Sequence, residues 1–96
     1  MQRFLVERRL RDVHLRLVRA RQELAVLDEQ LAAVSEEADD ARLRSLVAET
    51  PLAEHEYAEV QRHLDAMTRA RASLSATIEG LERRRDALLM DVGEGS

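Results

Sequence analysis

Cysteine, tryptophan, lysine and asparagine are absent from this 96-residue chain, and proline occurs once. Without cysteine there is no disulfide, no thiolate metal ligand and no cysteine nucleophile. Phe4 and Tyr57 are the only aromatic residues, too few for a bulky globular core or a base-stacking surface. No apolar run approaches the roughly 20 residues that span a bilayer. Glu7, Arg8 and Arg9 also interrupt the N-terminal segment before it could act as a signal peptide, so a cytoplasmic protein is expected. All fifteen basic residues are Arg, which points to GC-rich coding and a bacterial source.

What remains is the composition of long helices. Leu, Ala, Val, Glu and Arg dominate, and 35% of residues are charged, a mixture suited to coiled coils rather than sheets. The net charge of −4 conceals a polarity along the chain. Residues 1–21 hold seven Arg against Glu7 and Asp12, residues 22–60 hold two Arg against eleven acids, and residues 61–96 balance.

From Val6 to Val34 the apolar residues step by four and three: Val6, Leu10, Val13, Leu17, Ala20, Leu24, Leu27, Leu31, Val34. This is a coiled-coil seam. Beyond Val34 it continues only as Ala38, Ala41, Ser45 and Ala48, while the larger Leu43, Leu46 and Val47 fall on another side. The pattern predicts a first helix over 2–37 and a tip over 38–50, holding a short helix at about 40–48. Thr50-Pro51 is a strong helix start, the Thr capping free N–H groups and the proline suiting the first turn. A second helix over 51–91 repeats the seam as Ala53, Tyr57, Val60, Leu64, Met67, Arg71, Leu74, Ile78, Leu81, Arg85, Leu88, Val92, and residues 93–96 read as a flexible tail. The expected fold is all-α: an antiparallel two-helix coiled-coil hairpin forming one domain over 1–92.

Matching side-chain sizes across the seam sets Leu10 opposite Leu81, Val13 opposite Ile78 and Leu17 opposite Leu74, with small Ala20 facing Arg71. A one-heptad slip instead runs the first helix to about Val47, turns tightly at Thr50-Pro51 and sets Arg71 against Leu27. A seam buried on one side leaves little margin against chain entropy, so further burial is expected. The second helix offers a stripe of small residues, Ala66, Ala70, Ser73, Thr77 and Gly80, and the first offers Val18, Ala25 and Val26 away from its seam. These predict a homodimeric four-helix bundle.

Chemistry-bearing groupings are sparse. There is no Ser/His/Asp grouping and no Gly-rich phosphate loop, and a paired Glu-x-x-His is missing, so no catalytic, cofactor or metal site is expected. Arg71 and Arg85 occupy seam positions, where a long Arg can lay its methylenes on the seam and extend its guanidinium to the edge, or specify register and partner. The N-terminal Arg residues encircle the helix instead of lining one face, which argues against a nucleic-acid interface. Glu36, Glu37, Asp39, Asp40 and Glu54 gather acid around the tip, beside Leu43, Leu46 and Val47.

At Leu52-Ala53-Glu54-His55-Glu56-Tyr57, followed by a long charged helix, the chain resembles the tip and second helix of the N-terminal coiled coil of Gre-type transcript-cleavage factors. The resemblance covers the hairpin only. It implies an acidic-tipped hairpin that enters the secondary channel of RNA polymerase, with tip carboxylates helping to hold a metal ion. Aligned on Glu56-Tyr57, Thr50 and Ala53 stand where that family has its two tip acids; a one-residue gap recovers Glu54 for one and leaves Pro51 for the other.

These readings converge on a non-enzymatic coiled-coil interaction or adaptor protein. It is expected to be homodimeric and to present its tip or its second apolar face to a protein partner. The alternatives are an RNA-polymerase-associated transcription regulator that inserts its acidic tip, and an Arg-rich end that binds nucleic acid.

Overall fold

The computed structural model describes residues 2–94. Two helices account for nearly all of them, α1 at Arg3–Ala48 and α2 at Pro51–Glu94, arranged as an antiparallel helical hairpin with no strand among the described residues. Of the expected tail, Gly93 and Glu94 continue α2, and Gly95 and Ser96 lie outside the described residues.

The expected break over 38–50 does not occur: α1 runs unbroken to Ala48. Residues 38–48 contain neither Gly nor Pro, and the 4-3 seam stays in phase through them. Ala38 and Ala41 are 4% and 1% exposed, and Ser45 is half-buried. Leu43, Leu46 and Val47 therefore start no new phase; they lie on the outer face of one continuous helix. Alanine is small, but it buries fully and is the best helix former.

Only Glu49 and Thr50 connect the helices. The Glu49 N–H donates to the Ser45 carbonyl at 3.1 Å, and Glu49 takes a φ of 52°, the left-handed conformation that closes a helix C-terminus. Thr50 then caps α2, its Oγ1 accepting from the Ala53 N–H at 3.2 Å and its carbonyl from the Glu54 N–H at 3.1 Å. Pro51, which has no N–H to satisfy, fills the first helical position. Glu54 places a carboxylate in the first turn, where the helix dipole favours it.

The chain forms two compact units, Met1–Leu24 with Ser73–Ser96, and Ala25–Ala72. In the first, Val6, Val13, Leu17 and Ala20 of α1 are buried with Ile78 and Leu88 of α2, and Leu10, Leu24, Leu74, Leu81 and Val92 pack around them. Arg21 bridges the helices there, its Nη2 lying 3.2 Å from Glu82 Oε2. In the second unit the seam passes from the half-buried Leu27, Leu31 and Val34 to the buried Ala38 and Ala41, with Ala53 buried on α2.

The two-residue turn and the cross-helix ion pairs set a register one heptad away from the size-matched one. Arg71 donates from Nε to Asp28 Oδ1 and from Nη2 to Asp28 Oδ2, the latter at 3.4 Å. It therefore sits beside Leu27 rather than Ala20. Electrostatics explains the choice. Opposite Ala20, Arg71 would have met Arg19 and Arg21; one heptad away it meets a carboxylate in bidentate geometry.

Candidate interaction surface at the helical turn

Because α1 keeps its seam through Ala41 and Ser45, the larger residues of its last turns point outward. Leu43 is 61% exposed, Leu46 62%, Val47 85%, and Leu52 on the first turn of α2 66%. Leu43, Val47, Ala48, Leu52 and Ala53 line an open, almost wholly apolar concavity of about 410 Å³, with Arg44, Thr50 and Glu56 at its edge. Covering four aliphatic side chains that stand about two-thirds exposed would contribute on the order of 4–8 kcal/mol in all, taking ~1.5–3 kcal/mol for each full burial.

Leu52 was missed from sequence, as was the concavity. The tight-turn register carried the signal: with only Glu49 and Thr50 between the helices, Leu52 must lie close to the last turn of α1.

The carboxylates named from sequence, Glu36, Glu37, Asp39, Asp40 and Glu54, are all exposed. They rim the turn half of the hairpin without converging. Among the described residues no three His, Asp or Glu side chains are grouped as a metal site. Of the histidines, His55 meets Glu59 one turn on, Nε2 to Oε1 at 3.1 Å. His63 lines a second open concavity of about 400 Å³ with Leu27, Gln30, Ala33, Val34 and Met67.

Both seam arginines are half-buried. Arg71 extends to Asp28 as described, and that hydrogen bond, with the attraction of the carboxylate, raises its pKa above the ordinary guanidinium value. Arg85 turns to its own helix, its Nε donating to Asp86 Oδ1 at 3.1 Å.

The small residues of α2 run beside its seam, and Thr77 lines an open concavity with Arg16, Arg19, Ala20 and Glu23 of α1. Ala66, Ala70, Ser73 and Thr77 are exposed and Gly80 is half-buried. Thr77 Oγ1 donates to the Ser73 carbonyl at 3.1 Å. A Cβ built on Gly80 would come no nearer than 3.7 Å to the Arg83 guanidinium, so nothing within the chain requires glycine there. On α1, Val18 and Val26 are 38% and 54% exposed, and Ala25 is exposed.

No protein-family model, curated protein or solved structure matches this chain. No helix among the described residues is long and apolar enough to cross a membrane.

Proposed function

We propose that this chain is a non-enzymatic helical interaction module that docks a protein partner at its turn and self-associates through its outer helix faces. The observation that carries the reading is the outward placement of Leu43, Leu46, Val47 and Leu52, of which Leu43, Val47 and Leu52 line one apolar concavity. A short segment with four such side chains in water is a surface waiting for a partner, because contiguous exposed apolar patches on soluble domains mark interaction sites. Glu56 on its lining, with the exposed Asp39, Asp40 and Glu54 elsewhere on this half of the hairpin, favours a partner that carries basic residues beside an apolar contact, through complementary potentials that steer the encounter.

Affinity capture with the intact chain, compared with Leu43→Asp/Leu46→Asp, tests this. Specific partners are lost from the variant if the turn is the docking surface; an unchanged set of partners removes the turn from consideration. Exposed Glu49, Glu54 and Glu56 also support the RNA-polymerase reading, in which an acidic turn enters a groove. There, replacing the carboxylates with amides would abolish capture, whereas the leucines would matter less.

A further inference from the structure

The two flanks of the seam in the first unit are built differently. With Leu10 and Leu17 at heptad position a, Arg21 falls at e, and Arg9 and Arg16 fall at g on the opposite flank. On the e flank Arg21 meets Glu82 across the helices. On the g flank Arg9, Asp12, Val13 and Arg16 of α1 and Arg84 of α2 line a cleft of about 90 Å³. That is room for a small ion, not for an extended ligand.

Charge in this cleft is unbalanced. Asp12 precedes Arg16 by four residues, the order and spacing at which helical ion pairs form best. Even so, among the described residues Asp12, Arg16 and Arg84 form no ion pair with any group. One turn away on its own helix, Arg84 finds only Gly80, Leu81, Ala87 and Leu88, so α2 offers it no carboxylate there. The guanidinium groups of Arg9, Arg16 and Arg84 thus share a small space with the single carboxylate of Asp12. Arginine keeps its proton at any pH a protein survives, so the excess positive charge is relieved by an anion and not by titration.

We propose that this cleft binds a phosphate group that still carries a proton. Planar guanidinium forks match the oxygens of an oxyanion two at a time, and here they approach from both helices. Asp12 supplies the selectivity. A carboxylate repels a fully deprotonated oxyanion but accepts a hydrogen bond from a P–OH group. Free phosphate keeps such a proton at neutral pH, and a phosphate monoester keeps it in half its molecules at about pH 6. Sulfate and the phosphodiesters of nucleic acids have none. No residue of the turn takes part, so the inference stands apart from partner docking.

The intact chain tests this, with its arginine Nε–H resonances followed by NMR at pH 6 and constant ionic strength. Inorganic phosphate and methyl phosphate should bind; sulfate and dimethyl phosphate should bind on the order of tenfold more weakly, having no proton to donate. Arg16→Gln and Arg84→Gln should each weaken phosphate on the order of tenfold, the worth of one charged hydrogen bond. Arg8→Gln and Arg83→Gln lie outside the cleft lining and should leave affinity unchanged. Asp12→Asn should abolish the discrimination by letting sulfate bind as well as phosphate. All of these side chains are exposed, so ligand-free melting should hold within about 0.5 kcal/mol. Phosphate should raise the melting temperature of the wild type more than that of Arg84→Gln.

Equal affinity of the wild type for sulfate and phosphate would overturn the inference, as would discrimination that survives Asp12→Asn. Losses in Arg8→Gln or Arg83→Gln as large as in Arg84→Gln would overturn it by showing diffuse attraction to a basic surface. Phosphate that shifts none of the arginine resonances at any attainable concentration would overturn it outright, without touching partner capture at the turn.

Discussion

The turn between the helices offers the sharpest energetic test of the register. Glu49 holds a φ of 52°, and for a residue with a Cβ the left-handed conformation costs about 1–2 kcal/mol. Replacing it with glycine removes that cost but gives the unfolded chain more freedom, which takes back about 0.5–1 kcal/mol. Glu49→Gly should therefore stabilise the hairpin by on the order of 0.5–1 kcal/mol. In a domain of this size that raises the melting temperature by roughly 2–8 °C. Glu49→Ala retains a Cβ and serves as the control. Thermal and urea unfolding followed by circular dichroism, at a concentration low enough to suppress self-association, would give the ranking glycine above alanine. If α1 instead continued helically through residue 49, as a longer tip would require, glycine would be about 1 kcal/mol worse than alanine. Glycine melting below alanine would refute the tight turn and the register built on it.

Three further perturbations probe the rest of the fold. Leu17 is 1% exposed in the core of the first unit, so Leu17→Ala should cost about 3–5 kcal/mol, read as a drop in urea midpoint at constant slope; a loss under about 1 kcal/mol would mean the seam is not packed there. Gly80→Ala meets no close contact in the chain and should stabilise dilute protein by about 1 kcal/mol. The same substitution would weaken association at higher concentration, measured by sedimentation, if the α2 stripe packs closely against a second copy. Arg71→Glu should lower the melting temperature by setting two carboxylates together, and adding Asp28→Arg should restore it; no rescue would mean that the pair does not set the register.

The helical hairpin was legible because its cause is local and repetitive. An unbroken 4-3 spacing from Val6 onward and the Thr50-Pro51 start define two amphipathic helices without any tertiary information. The tip was misread because side-chain size was given more weight than phase. Ala38, Ala41 and Ser45 keep the seam, and Leu43 and Leu46 stand outside it. The register was misread for a related reason: pairing large with large ignored that Arg71 would then sit among Arg19 and Arg21, when Asp28 waited one heptad away. With the register goes the surface, since Leu52 joins Leu43 and Val47 only once the turn is two residues long. The outward direction of Leu43, Leu46 and Val47 could be read from their heptad positions alone. The concavity they share with α2 could not, because it depends on how Glu49 and Thr50 turn the chain.

The most direct test of a docking turn is whether its leucines are dispensable to the fold. Dilute Leu43→Asp/Leu46→Asp should melt within about 0.5 kcal/mol of the wild type, as exposed positions do, while losing capture of its partners. A collapse in melting temperature comparable to that of Leu17→Ala would show that these side chains are core, and would contradict the account.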